Sequence, residues 1–335
     1  ISGFVDVSYT HNFNNPSDRA NPGRIFDTKD DDFTLHQTQL FFERAAVAGS
    51  DPLGRAGFGL RLVYGRDAEV LNSSGIGKEE NFDFEEAYLT YAVNDTLQAK
   101  LGKYVTLLGA EVIDNTGNFN ISRSFLFGHA IPFTHNGLRL TYMPSDRFQM
   151  NIGVVNGWDE FVEQNNTKSL EWNVVLNLPG NISWSHAIIY GDEKATVGDN
   201  QRVVYDSVFS IQPHDQWTFV INFDYGNEQG ASVVKPGTDA EWIGVAGYIH
   251  YDASDQFGLT VRGEVFEDTD GFRNPLNLMT GIKQTLYEVT LTGAYKLTPA
   301  LETRLEYRYD DSSKSGGFGG ENNQSTIATE VIFQF

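Results

Sequence analysis

Acidic and basic residues alternate with apolar ones near the end of the chain. At every second position the charge changes sign, in the order Glu302, Arg304, Glu306 and Arg308. Side chains two residues apart on a β-strand point to the same face, so these four form one row. A row of opposed charges beside water can bind or sort charged and dipolar solutes. The spacing therefore predicts a charged, solute-facing surface carried by a strand.

Residue patterns for catalysis or metal binding are not found. Ser185–His186, Asp30–Asp31 and Glu79–Glu80 are adjacent pairs, whose side chains point apart on a strand. No Gly-x-Ser-x-Gly elbow, P-loop or His-Glu-x-x-His motif occurs, and the seven histidines lack ligand spacing. The acidic segment 27–32 could offer oxygen ligands to calcium but lacks EF-hand spacing. We therefore expect no enzyme, no cofactor and no metal centre.

Composition narrows the class of protein. The 335 residues include 24 Phe, 15 Tyr, 5 Trp and 33 Gly but no Cys, a profile that favours β-structure and excludes thiol chemistry. Mean hydropathy is negative, and no stretch approaches the roughly 18 apolar residues that a spanning helix needs. The net charge of −21 argues against a nucleic-acid partner, because the phosphates would be repelled.

Period-two alternation runs from end to end and predicts sixteen strands. Most are 9–13 residues long, which suits tilted transmembrane strands. The predicted strands cover residues 1–12, 33–48, 54–66, 82–93, 97–105, 135–143, 147–157, 169–178, 181–191, 202–212, 215–226, 240–252, 255–267, 284–297, 300–310 and 325–335.

The connections between these strands alternate in length. Seven are tight turns, such as 94–96 and 179–180, and eight are long polar loops. A sixteen-stranded antiparallel up-and-down barrel has this asymmetry when both termini lie on the short-turn side. All ten prolines fall in or beside connections, as expected for a residue that cannot donate to a ladder. An aqueous β-solenoid or a pair of sandwiches is the alternative.

Each predicted strand has an apolar and a polar face, and the size of the barrel decides which is outside. Sixteen strands enclose a lumen too wide for side chains to fill, so the polar face lines water and the apolar face meets lipid. Residues 33–48 fit neither register, which a β-bulge would explain, and His186 falls on the apolar face. The predicted pore-wall charges are Arg55, Arg61, Arg139, Arg262, Arg304, Arg308, Asp224, Glu264, Glu302 and Glu306.

Acidic residues also cluster in the long loops. Examples are Asp27 and 30–32 in the first loop, Glu79, Glu80 and Asp83 in and beside the second, and Asp159, Glu160 and Glu163 in the fourth. An acidic vestibule concentrates cations, which predicts a weak cation preference. The alternative is that these loops are simply solvated.

The third long loop, about 106–134, carries many apolar residues and is not expected to extend into water. Folding it into the lumen would bury them and place Glu111, Asp114 and Arg123 at a constriction. Those charges would face wall arginines such as Arg61. The alternative is an outer lid that contacts a neighbouring subunit.

Three segments together resemble the OmpL-like putative β-barrel porin family of Gram-negative outer membranes. They are Leu101-Gly-Lys-Tyr-Val-Thr with Gly109 and Glu111, Ser122-Arg-Ser-Phe-Leu-Phe-Gly followed by Ile131-Pro-Phe-Thr-His, and Asn156-Gly-Trp-Asp. The resemblance covers essentially the whole chain and implies a channel for small solutes. The terminal strand, which ends on Phe335, is similar to the insertion signal of outer-membrane barrels but lacks the glycine often found earlier in it.

Together these features predict an outer-membrane porin, with residues 1–335 as one barrel and its signal peptide removed. Passive diffusion of ions and small hydrophilic solutes is the expected activity. The expected surroundings are outer-membrane lipid and lipopolysaccharide, and fold analogy suggests a homotrimer. Two alternatives stay open: a substrate-specific channel with charged ladders, and a receptor or adhesin that binds a partner through its acidic loops.

Overall fold

Sixteen β-strands make up most of the computed structural model, which describes residues 1–49, 51–73, 81–193, 200–273, 275–276 and 282–335. They are β1 (Ser2–Asn12), β2 (Asp32–Arg44), β3 (Ala56–Tyr64), β4 (Phe82–Ala92), β5 (Leu97–Val105), β6 (Thr134–Ser145), β7 (Phe148–Val155), β8 (Ser169–Leu178), β9 (Ile182–Asp192), β10 (Gln201–His214), β11 (Trp217–Glu228), β12 (Ala240–Asp252), β13 (Phe257–Asp268), β14 (Gln284–Thr298), β15 (Leu301–Ser312) and β16 (Asn323–Gln334).

The strands form one closed barrel in sequence order, with every neighbouring pair antiparallel. The seam closes where β1 pairs with β16, in a register that sets Val7 opposite Val331. Phe335 continues this ladder, because it exchanges two backbone hydrogen bonds of 3.0 Å with Gly3. The predicted sixteen-stranded antiparallel barrel is confirmed, and predicted strand ends fall within a few residues of the observed ones.

Burial alternates along the strands with the polar residues inside. On β16, Ile327, Val331 and Phe333 are exposed, whereas Thr326 and Glu330 on the opposite face are buried. A closed barrel has no second sheet to cover its outer face, so the exposed apolar face is the one suited to lipid. The buried polar face surrounds the interior.

Two β-bulges add a residue to the inner face. The pairing of β1 with β2 skips His36, and the pairing of β3 with β4 skips Glu85. Each bulged residue is buried together with the one that follows it, Gln37 or Glu86. The bulge at His36 explains why residues 33–48 fit neither register. The bulge at Glu85 was not predicted.

In the described part of the chain, helical structure is limited to three short pieces within long loops. These are α1 (Ala68–Leu71), a 3-10 turn (Asn115–Gly117) and a π-helical turn (Leu126–Ala130). Among the described residues no helix is long and apolar enough to cross a membrane.

The interior contains an apolar cluster contributed by loops as well as strands. Phe26 from the first long loop packs against Phe127 and Phe133, with ring centroids 6.1 and 6.3 Å away. Leu276 and Phe318, from the last two long loops, join the same cluster. Several outer loops therefore fold toward the segment that connects β5 to β6.

His186 lies on the outer face of β9, as its sequence position indicated. Its Nδ1 is 2.8 Å from the hydroxyl of Tyr205, and its ring lies 4.6 Å from that of Trp184. It belongs to an aromatic row on the outer surface rather than to a metal or catalytic site.

Candidate functional site

Residues 106–134, here called the inner loop, contact the inner faces of strands around much of the barrel. A loop in this position must find hydrogen-bond partners for its peptide groups, because unpaired buried peptide groups are costly. The wall supplies them: Asn222 on β11 accepts the N–H of Ala110 at 3.0 Å, and Trp242 on β12 donates to the carbonyl of Ala130 at 3.1 Å.

Two wall glutamates each hold a pair of successive backbone amides of the inner loop. Glu306 on β15 accepts the N–H groups of residues 121–122 at 2.7 and 3.0 Å. Glu264 on β13 accepts those of residues 125–126 at 2.7 and 2.6 Å, where the π-helical turn begins. A carboxylate that binds two N–H groups makes charge-assisted hydrogen bonds, so both side chains fix the loop backbone.

A third carboxylate closes the far end of the loop. Asp159 Oδ1 accepts the N–H groups of residues 133–134 at 2.7 and 2.9 Å. Burial raises the pKa of Asp159, while these two hydrogen bonds act in the opposite direction. This residue was predicted as part of an acidic vestibule, but its carboxylate is engaged with the inner loop.

Three wall arginines bind the carbonyl oxygens of the same loop. Arg262 donates to the carbonyl of Ser122 at 2.7 Å, and Arg308 reaches the next carbonyl along the chain. Arg304 donates to the carbonyl of Asn115 at 3.2 Å. The wall charges predicted on β13 and β15 therefore serve largely as ligands of the loop backbone.

Of the three residues predicted at a constriction, two are mainly occupied within the loop or by the wall. Glu111 pairs with Arg262 at 2.7 Å and accepts both the N–H and the hydroxyl of Ser124 at 2.7 Å. Arg123 donates to carbonyl and amide oxygens of residues 112–115, at 2.6–3.0 Å. Its guanidinium fixes the shape of the loop, and it makes no direct hydrogen bond to a wall carboxylate among the residues that the structure describes.

Asp114 is the third, and it meets the wall at Arg61. Its carboxylate also accepts from the side-chain amide of Gln39. The same guanidinium binds Glu86 at 2.9 Å and lies 3.8 Å from Glu85. Burial raises the pKa of Asp114, although Arg61 opposes that effect. One arginine is thus shared by three carboxylates.

Two further predicted wall residues lie on β6 and β11. Arg139 forms a buried pair with Glu171, with two N–O distances of 2.8 Å. Asp224 lies across from Asp206 in the β10–β11 ladder, and both of its carboxylate oxygens lack a donor among the described residues. Asn222 donates to the neighbouring Asp206 at 2.6 Å.

The remaining predicted wall residues lie toward the short turns. Glu302 pairs with Arg304 at 2.6 Å on β15. Arg55, predicted within a strand, instead precedes β3 and donates to the carbonyl of Ala92 at 2.8 Å. Its guanidinium lies 5.1 Å from the ring centre of the exposed Tyr91. Arg55 is therefore a rim residue rather than part of the inner wall, because the strand begins one residue later.

The acidic residues of the outer loops are partly engaged. Asp27 pairs with Arg24 at 2.6 Å, and the largely exposed Asp31 lies 2.8 Å from Nδ1 of His11. Hydrogen bonds from His11 and Tyr9 lower the pKa of Asp31. Glu79 and Glu80, predicted in the second acidic group, lie outside the described residues.

A line of three side chains has the spacing of a hydrolytic triad. Ser8 Oγ is 2.7 Å from Nε2 of His36, whose Nδ1 is 2.8 Å from Asp67. No sequence pattern marks this arrangement, because it depends on the bulge that turns His36 to the inner face beside Ser8. Ser8 is only 3% exposed, and Asp6 and Glu330 also act on His36 electrostatically. The cluster is better suited to a buried ion-pair network than to substrate attack.

Comparison with protein families identifies the chain. The profile of the family described as putative beta-barrel porin-2, OmpL-like, matches residues 1–335. The chain belongs to this porin family. It is therefore an outer-membrane β-barrel channel, and its family and fold indicate a non-enzymatic protein. Comparison with curated proteins gives no match.

Solved porins share the fold at low sequence identity. The anion-selective porin from Comamonas acidovorans aligns with a TM-score of 0.68 at 10% identity, over 100% of this chain and 98% of that one. The outer membrane channel DcaP of Acinetobacter baumannii gives 0.67 at 12% identity, over 100% and 96%. OmpT of Vibrio cholerae, in a trimer form, gives 0.66 at 10% identity, over 100% and 98%. These similarities concern the fold alone.

Proposed function

We propose that this porin is a diffusion channel for ions and small hydrophilic solutes, with a weak preference for cations, and that its inner loop narrows the path. The observation that carries the proposal is the group of three carboxylates that share Arg61. The excess of negative charge lies where the inner loop approaches β3 and β4. A field of this sign favours cations over anions.

The engaged state of the other wall charges supports the same conclusion. Arg262, Arg304 and Arg308 are each bound to carboxylates and to loop carbonyls, so their positive charge is neutralised locally. By contrast Glu85, Glu86 and Asp114 outnumber their arginine. The region narrowed by the inner loop therefore has an excess of negative charge that the wall around those three arginines does not share.

Reversal potentials in a KCl gradient across planar bilayers test the preference. We expect the potential to have the sign of a potassium-selective channel and a modest size. Glu86→Gln should move it toward zero, because that change removes one unbalanced negative charge. A reversal potential of the opposite sign in the wild type would overturn the proposed selectivity.

Single-channel conductance tests the position of the inner loop. Deleting residues 113–126 removes the 3-10 turn and the segment held by Glu306, so conductance should rise several-fold. Conductance equal to that of the wild type would place the loop outside the path of ions.

A homotrimer is the assembly we propose, supported by the trimer form of the structurally similar OmpT. Native mass spectrometry of the detergent-extracted protein should give the mass of three chains. The wild-type protein purified only as a monomer, at several detergent concentrations, would contradict it.

A further inference from the structure

A cavity of about 320 Å³ lies between the inner loop and the strands β3–β5. One side is charged and includes Arg61, Glu85, Glu86 and Asp114. The other side is largely apolar and belongs to the inner loop, which contributes Leu108, Val112, Ile113, Phe127 and Phe133. A ligand that fits both sides has a charged group at one end and an apolar group at the other.

On the charged side of the cavity, two carboxylates have few hydrogen-bond donors. Glu86 is 5% exposed, and only its Oε2 has a hydrogen bond, from Arg61 at 2.9 Å, within the described part of the chain. Glu85 accepts from Gln39 at a long 3.3 Å, and its nearest cationic nitrogen, on Arg61, is 3.8 Å away. A buried carboxylate needs a cation or several donors, and within the described residues both of these carboxylates pair with the same cation, Arg61.

The β-bulge in β4 is what creates the excess. Without it, Glu85 and Glu86 would point to opposite faces, as neighbours on a regular strand do. Because the ladder skips Glu85, both carboxylates are directed into the barrel. Bulges often redirect a side chain at functional sites, and this one adds a third carboxylate to the two that would otherwise share Arg61.

The apolar side excludes a fully hydrated ion as the best ligand. Leu108 and Ile113 are each 4% exposed, and Val112, which is 45% exposed, covers the cavity from the loop. Small inorganic cations would gain nothing from these side chains, whereas an apolar body would bury surface against them. An anion of the same shape would meet the three carboxylates and be repelled.

We propose that this cavity binds organic cations that join a primary ammonium group to a compact apolar body. The ammonium binds Glu85 and Glu86, and the apolar body lies against Val112 and Leu108. This inference rests on the proposed cation preference and names a solute class for it. Such a solute would bind transiently at this cavity while it crosses the channel. Its flux would therefore saturate as its concentration is raised.

Block of the potassium current by 2-phenylethylamine tests the site in planar bilayers. We expect concentration-dependent block by 2-phenylethylamine, with at least tenfold weaker block by ethylamine, which lacks the ring. 3-Phenylpropionate, which keeps the ring and reverses the charge, should not block. Glu86→Gln and Glu85→Gln should each weaken the block about tenfold, and Val112→Asn should weaken block by 2-phenylethylamine but not by ethylamine.

Glu43→Gln is the matched control, because Glu43 lies near the end of β2 and does not line the cavity. It removes one negative charge and should leave the block at the wild-type level. Equal block by 2-phenylethylamine and ethylamine, or block unchanged in Glu86→Gln, would overturn the binding site.

Failure of the site and failure of the selectivity are separable. A potassium-selective reversal potential without block by 2-phenylethylamine would contradict the proposed binding site and leave the proposed function intact. Calorimetric binding of 2-phenylethylamine to the purified porin, lost in Glu86→Gln, would support the site even if the reversal potential proved anion-selective. Retention of that heat in Glu86→Gln would place the amine elsewhere.

Discussion

Glu264 shows how a single wall residue controls the inner loop. Its two oxygens accept two successive amides at the start of the π-helical turn. In Glu264→Gln one of those amides would face an NH₂ group, and an unsatisfied buried group costs about 1–3 kcal/mol. We expect noisier single-channel currents and a lower thermal unfolding midpoint.

Glu302→Gln is the control for that prediction. Glu302 is a carboxylate on β15 that pairs with the side chain of Arg304 and, among the described residues, accepts no amide of the inner loop. Its currents should be as quiet as those of the wild type. Equal noise in both variants would show that charge, rather than the amide contacts, holds the loop.

His129 predicts a pH effect on the inner loop. Burial lowers the pKa of His129 from 6.5 to about 4, and the nearby Arg273 and Arg308 add to the shift. A detached loop would bind the proton more readily, so packing of the loop is most stable above about pH 6.5 and weakens as pH falls toward 4. Current noise should increase over that range, and less so in His129→Gln. The same increase in the variant would exclude His129 as the cause.

At the same scale, sequence reasoning identified charged residues better than their partners. The pairing of Asp114 with Arg61 agrees with the expectation, whereas Arg123 turns into its own loop. Strand alternation reports only which face a side chain occupies. The partners of Glu264 and Glu306 are backbone amides, which every residue carries and no spacing marks. Their roles depend on how the loop folds in three dimensions.

At the scale of elements, the bulge in β4 can be removed without changing the rest of the ladder. Deleting Glu85 would set Phe84 and Glu86 next to each other, which are already paired with Leu62 and Arg61. The barrel should therefore still fold, with one inner carboxylate fewer. The reversal potential should move toward zero, and the unheated variant should run on gels as the unheated wild type does. A change to the mobility of the heat-denatured protein would mean that the bulge is needed for folding itself.

The strands were predictable because alternation, tight turns and proline positions all report on local geometry. Tight turns such as 179–180 fixed both neighbouring strand ends. Alternation could indicate a bulge only where it broke down visibly, as in 33–48. At Glu85 no such break is visible. Glu85 and Glu86 are both acidic and lie between Phe84 and Ala87, so the alternation is compatible with either glutamate on the inner face. The inner loop has no period-two alternation, and its path depends on contacts with the barrel wall that the sequence does not reveal.

On the scale of the whole molecule, the net charge of −21 is spread over loops and wall. Charges exposed to solution act over about 10 Å at 0.1 M salt but only about 3 Å at 1 M. We therefore expect potassium selectivity to decline as salt concentration is raised. The amine block should decline less, because the cavity carboxylates are shielded from bulk ions. Selectivity independent of salt would assign it entirely to buried charges.

The path of the inner loop has a consequence for how the barrel is completed. Asp114 binds Arg61 and Gln39 on β3 and β2, while the adjacent Asn115 binds Glu330 on β16. These partners stand on either side of the seam where the first and last strands meet. Until that seam has formed, the two sets of contacts cannot exist together. The loop therefore links the two sides of the seam once the barrel has closed. Its contacts then oppose the separation of β1 from β16.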